Sequence, residues 1–144
     1  LTEDGWFLTG DLGYRDEESF FYVTDRKKDI IITGGYNVSP REVEEVLMSH
    51  PKVADAAVVG IRGRRDDAET ITAFVVAQEG EELTLQELHH QCELELAAYK
   101  RPREIRLAEK LPKSATGKVL RTQLRGELED RRLVEREEVK NGAL

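Results

Sequence analysis

Asp25-Arg26-Lys27-Lys28-Asp29, followed directly by Ile30-Ile31-Ile32-Thr33-Gly34-Gly35, divides the chain. Five consecutive charges cannot be buried together, so this stretch lies on the surface between two packed units. The β-branched triplet behind it reads as the first strand of the second unit. Gly34-Gly35 then allows either a close backbone approach to a ligand or a turn with positive φ. A charged joint followed by a strand and a bare glycine pair reads as a hinge that presents a surface.

Working outward, 144 residues suit one ordinary domain with a fragment of a second at one end. The hydrophobic share of 39% supports one modest core, and the 35% charged share a well-solvated surface. A net charge of −7 argues against a nucleic-acid partner, because phosphate binding needs a basic excess. Cys92 is the one cysteine, so no intrachain disulfide forms, and no apolar run is long enough for a transmembrane segment. That combination reads as soluble and cytoplasmic. Leu1 is not an initiator methionine, which reads as a piece of a longer protein.

Before the joint, Gly5–Asp11, Gly13-Tyr14 and Phe20–Val23 read as two or three short aromatic-rich strands around the acidic turn Asp16-Glu17-Glu18-Ser19. Trp6, Phe7, Tyr14, Phe20, Phe21 and Tyr22 lie here, with too few residues to cover them. The expectation is that they pack on protein outside this chain, and are exposed or disordered without it.

After the joint, Ser39-Pro40-Arg41-Glu42 predicts a helix start with a capping box, Pro40 at the first helical position and a Val38–Val43 staple. Val43, Val46 and Leu47 mark its buried stripe, and His50-Pro51 its end. Strands follow at Val53–Gly60 and Thr70–Ala77, separated by the polar loop Arg62–Glu69. Thr84 and Glu87 open a second helix with Leu85, Leu88, Cys92 and Leu96 on one face. A short strand at Glu104–Leu107, a loop at Leu111–Thr116 and a charged helix from about Arg121 toward Arg136 complete the series. The fold class is therefore α+β: a small domain with a short mixed sheet and flanking helices, preceded by a β-hairpin.

Three simpler motif readings fail on their residues. A phosphate-binding P-loop ending at Gly117-Lys118 would need glycine at Pro112 and Ser or Thr at Val119. His89, His90 and Cys92 do not make a metal site, because Cys92 sits on the apolar stripe and further ligands have no source. Asn37-Val38-Ser39 matches a glycosylation sequon, but Pro40 follows and nothing indicates secretion.

Thr9-Gly10-Asp11, then Asp25–Asp29 with Gly34-Gly35-Tyr36-Asn37-Val38-Ser39-Pro40, then Pro112-Lys113-Ser114-Ala115-Thr116-Gly117-Lys118 occur in one order. Together they resemble the carboxy-terminal part of the adenylate-forming enzymes, the group of acyl-CoA synthetases, luciferases and peptide-synthetase adenylation domains. The wording of the middle motif is most similar to fatty-acyl or aryl CoA ligases. Two departures are Ser19, where the family usually has a turn glycine, and Ala68, where a glycine commonly precedes the second strand.

The resemblance implies residues 1–25 as the end of a large N-terminal adenylation domain, 26–29 as hinge, 30–136 as a mobile C-terminal domain and 137–144 as a tail. It implies ATP, coenzyme A and Mg2+ as cofactors, held mainly by an N-terminal domain partner, with a carboxylic acid as substrate. Lys118, carried on a flexible Ser114-Ala115-Thr116-Gly117 loop, would be the catalytic cation at the α-phosphate, and Asp11 and Arg26 nucleotide contacts. Lys28 would be the hinge residue, and Gly34, Gly35 and Tyr36 would face the pantetheine arm. Arg62, Arg64, Arg65, Lys100 and Arg101 would meet the nucleotide phosphates of coenzyme A. By itself the chain would turn over nothing. Rival readings are transfer to a carrier-protein thiol and a non-catalytic α+β binding module.

Overall fold

The computed structural model describes residues 1–63 and 68–128. The expected helix beyond 128, the tail 137–144 and the basic residues Arg64 and Arg65 lie outside the described residues.

The centre is a three-stranded sheet of order β5-β6-β7, formed by Val53–Arg62, Glu69–Ala77 and Glu104–Leu107. β5 and β6 pair antiparallel along almost their whole length; β7 lies parallel to β6, reached through helix α2 (Leu85–Glu95). Both faces of this sheet are covered, which is why β5 and β6 read as nearly continuous apolar runs rather than alternating ones. Ala56, Val58, Ile71, Ala73 and Val75 face one core with Val43 and Leu47 of α1 (Pro40–Met48) and Leu88 and Cys92 of α2. Ala57, Val59, Ile61 and Phe74 face the other, closed by Leu111, Leu124 and Leu128. Residues 121–128 are helical and form α3.

The joint leads into a small hairpin of two strands, where the sequence reading had one. β3 (Ile31–Thr33) pairs with β4 (Tyr36–Val38), Thr33 opposite Tyr36. Gly34 and Gly35 are the two turn residues, with φ of 54° and 80°. Positive φ at both central positions is a type I′ turn, whose twist matches that of the flanking strands. Of the two uses open to the glycine pair, the structure adopts the turn. Ile31 and Val38 anchor the hairpin in the core, and the Ile32 N–H donates to the Glu69 carboxylate at 2.8 Å.

Helix α1 begins as expected at Ser39, whose hydroxyl accepts the Glu42 N–H, with Val38 and Val43 both fully buried beside the cap. The reciprocal half of the expected capping box is absent: the Glu42 carboxylate instead accepts from Lys100 Nζ at 2.8 and 3.0 Å. A distant ammonium outcompetes a local N–H because both partners of that contact are charged. In α2 the box at Thr84 and Glu87 is complete. Leu85, expected on the buried face, is 44% exposed; Leu83, just before the cap, takes the inward place beside Leu88. Burial pushes the Cys92 thiol up to about 11, so it is an apolar packing group and not a reactive one.

Strands β1 (Asp11–Arg15) and β2 (Phe21–Arg26) form a separate antiparallel hairpin. Ser19, in its turn, has φ of 72°, the left-handed conformation that favours the glycine it replaces in the resemblance. Trp6, Phe7, Phe20 and Phe21 are each more than half exposed, as the composition of this segment implied.

Glu87 ties α2 to the loop before β5. Its carboxylate receives Lys52 Nζ at 2.8 Å and the Thr84 N–H and hydroxyl at 2.9 and 3.1 Å, which hold its pKa at about 2 against an ordinary 4.5. A folded-state value below the unfolded one contributes stability that is present above pH 4.5 and is lost as pH falls toward 2. Glu87→Gln is therefore expected to flatten the acid side of the stability curve, read by thermal melts on either side of that window.

Candidate functional site

Residues far apart in sequence converge on a cleft of about 580 Å³ between the β1–β2 hairpin, α1 and the turn before α3. Asp11, Arg26 and Lys118, the three residues expected to handle nucleotide, all line it. Asp11 and Arg26 stand opposite one another in the β1–β2 register, with Arg26 Nε 3.1 Å from Asp11 Oδ1. The pairing leaves Asp11 further lone pairs for hydroxyl donors.

The loop expected to carry Lys118 is a hydrogen-bonded turn in the structure. Ser114–Lys118 is a stapled turn: the Ser114 N–H donates to the Lys118 carbonyl at 2.8 Å, and Lys113 bridges Val119. The Lys118 N–H donates to the Ser114 hydroxyl at 3.3 Å, and Gly117, with φ of 83°, closes the turn. Two ion pairs flank the turn. Lys113 Nζ lies 2.6 Å from Asp55 of β5, and Arg121 Nη2 lies 2.6 Å from Glu44 of α1. The backbone is thus held while the lysine side chain stays exposed.

The cleft's other cations are already engaged: Arg26 by Asp11, Arg41 by Glu45 and Arg121 by Glu44. Among the described residues lining the cleft, Lys118 is the cation with no ion-pair partner. Its charge is available to an anionic ligand.

Glu44 escaped the sequence reading. It is 9% exposed and accepts both the Val58 N–H, at 2.9 Å, and Arg121. Burial raises its pKa, opposed by the Val58 hydrogen bond and the Arg121 charge. A signal was present: Pro40, Val43, Glu44 and Leu47 are spaced as one inward helical face, with Glu44 in an apolar slot.

The joint is a single 3-10 turn, Lys27–Asp29, with no buried residue and Lys28 exposed. Two side chains tie β2 to α1 across it. Ser39 Oγ donates to Asp25 at 2.7 Å, and Arg41 reaches the Val23 and Thr24 carbonyls at 3.3 and 3.4 Å. Such polar ties, without a shared core, suit a pivot.

Gly34, Gly35 and Tyr36 do not line the cleft. Open space surrounds the Cβ position of Gly35, yet its φ of 80° strains any side chain placed there. Tyr36 stacks on Tyr99 at 4.3 Å, beside the Lys100–Glu42 pair. Arg101, expected at a phosphate, is committed elsewhere: it donates to the carbonyls of Leu96 and Glu93 at the end of α2. His89, His90 and Cys92 do not converge, since Cys92 is buried and His90 exposed.

The α+β unit thus presents one unengaged lysine beside a carboxylate–guanidinium pair in a single cleft. The family profile described as AMP-binding enzyme C-terminal domain matches residues 42–118, and the chain belongs to that family. It is 48% identical to a long-chain-fatty-acid–CoA ligase of Bacillus subtilis over 86% of this chain and 22% of the relative. It is equally identical to a 2-succinylbenzoate–CoA ligase of Bacillus cereus, over 89% of this chain and 26% of the relative. The solved o-succinylbenzoate CoA synthetase from Bacillus subtilis, in complex with its acyl-adenylate intermediate, superposes with a TM-score of 0.76 at 43% identity. That match covers 85% of this chain and 25% of the other. The chain spans about a quarter of the length of these relatives.

Glu44→Ala would leave the Val58 N–H and the Arg121 guanidinium without their acceptor. The expected cost is about 3 kcal/mol, read as a lower urea midpoint at unchanged slope.

Proposed function

We propose that this chain is the mobile lid of an ATP-dependent acyl-CoA synthetase, which converts a fatty or aryl carboxylic acid, ATP and coenzyme A into acyl-CoA, AMP and pyrophosphate. The observation that carries the reading is the meeting of Asp11, Arg26 and Lys118 in one cleft, with Lys118 the cation left unengaged among the described residues there. The names of the relatives, all CoA ligases, support coenzyme A as the acceptor. Use of ATP and coenzyme A fits work in the cytoplasm.

In the first half-reaction a carboxylate oxygen attacks the α-phosphate and pyrophosphate leaves. Negative charge builds on the phosphoryl oxygens, and Lys118 stabilises it. Asp11 accepts from ribose hydroxyls, and Arg26 holds Asp11 while facing the nucleotide. Mg2+ would supply charge neutralisation at the phosphates, with its ligands mainly from the N-terminal domain. Rotation at Lys28 then withdraws Lys118 and brings the Gly34-Gly35 turn and Tyr36 toward the pantetheine arm, where a bare glycine tip leaves room. The residue ranges follow the pivot: 1–25 belong to the N-terminal domain, 26–29 to the hinge and 30–136 to the lid. The catalytic cycle belongs to the whole enzyme, and the lid alone turns over nothing.

In the full-length enzyme, Lys118→Ala is expected to slow adenylate formation about 10²- to 10³-fold while sparing thioester formation from supplied acyl-adenylate. Pyrophosphate exchange and single-turnover thioester assays read the two steps, and equal loss of both would refute the assignment. Lys28→Pro, which restricts φ at the pivot, is expected to show the converse split: adenylate forms and accumulates, and its transfer to coenzyme A becomes limiting.

A further inference from the structure

Lys118 has a long, exposed side chain on a short turn, so its reach depends on where that turn is held. The turn closes on itself through Ser114, but nothing in that closure orients it on the domain. Leu111, Val119 and Leu124 seat the segment on the apolar core, and an ion pair on each side of the turn adds to its orientation. The Lys113–Asp55 pair before it is open to water, with side chains 43% and 28% exposed. The Arg121–Glu44 pair after it is better covered, at 24% and 11%. A solvated pair contributes little to fixing geometry, whereas a covered, hydrogen-bonded one constrains both partners.

Glu44 is itself tightly held. It projects from the inward face of α1 and accepts the Val58 N–H of β5, so its carboxylate is fixed to two elements of the core. Arg121 starts α3 three residues after Lys118, and both line the cleft. A buried carboxylate in the middle of an apolar stripe is costly, since burial opposes its ionisation. Replacing such a buried pair as a unit by apolar residues is often neutral for stability, which points to a purpose other than stability.

We propose that Glu44 is a positioning residue for Lys118: through Arg121 it clamps the start of α3 to α1 and β5, and so sets where the lysine ammonium meets the α-phosphate. The inference rests on the assignment of Lys118 given above. Glu44 touches no reacting atom; its effect passes through Arg121 and the turn. A displacement of the ammonium by about 1 Å is sufficient to cost up to roughly 10²-fold in rate.

The test uses the full-length enzyme with Glu44→Gln, which keeps an acceptor for the Val58 N–H but removes the charge that holds Arg121. Pyrophosphate exchange at saturating ATP is expected to fall about 10- to 10²-fold, in kcat more than in KM for ATP. Thioester formation from supplied acyl-adenylate should be unchanged. The deciding measurement is the double variant with Lys118→Ala. If Glu44 acts only through Lys118, adding Glu44→Gln to Lys118→Ala costs nothing further. The same fractional loss in both backgrounds, or equal loss in both half-reactions, would overturn the proposal, as would full adenylation activity of Glu44→Gln. Arg121→Gln opens the clamp from its more exposed side and carries the same expectations if Glu44→Gln does not fold. Should Lys118→Ala itself adenylate normally, the underlying reading fails; should only Glu44→Gln do so, the positioning role alone is lost.

Discussion

The two long strands β5 and β6 are buried on both faces, and the remaining architecture follows from that constraint. A sheet desolvated on both sides needs two apolar layers, and the chain supplies them from different places. α1 and α2 cover one side, and the segment from Leu111 through 121–128 covers the other. The second layer has a consequence for chemistry. To bring Leu111 and Leu124 onto the sheet, the chain between them must turn outward, and Lys118 sits on that turn. Core packing thus presents the lysine at the domain's edge.

Charge then refines what apolar burial leaves loose. Three arginines in the cleft each find a carboxylate, and Lys118 does not. Five carboxylates and four cations line the cleft, so its charges are nearly balanced. The ion pairs also divide by exposure. Exposed pairs contribute little, whereas the better covered Glu44 and Arg121 join α1 to α3.

The β1–β2 hairpin belongs to neither layer. Its aromatic side chains are largely exposed, and it meets the rest through Asp25, Ser39 and Arg41. Polar ties of this kind break and reform at small cost because water replaces either partner. The short turn Lys27–Asp29 carries no buried residue, and Asp29 lies 3.6 Å from Arg125 of α3. These features are compatible with the rotation proposed above.

Local chemistry made much of this legible in the amino-acid order. The caps at Ser39 and Thr84, the strands from Val53 and Thr70, the short strand at Glu104–Leu107 and the exposed aromatic start all follow from near-neighbour rules. Asp11, Arg26 and Lys118 could be singled out as candidates one by one. Their meeting in one cleft could not be foreseen, because 92 positions separate Arg26 from Lys118 (118 − 26) and no local rule spans that distance. For the same reason Glu42 was assigned to its own cap instead of Lys100, Arg101 to a phosphate instead of a helix end, and Lys118 to a loose loop instead of a stapled turn. Glu44 was passed over because a carboxylate in an apolar slot makes sense only beside Arg121. Sequence alone determined which segments fold and which groups could do chemistry; tertiary structure decided which charges face one another, since pairing depends on distances set by the packing of the whole core.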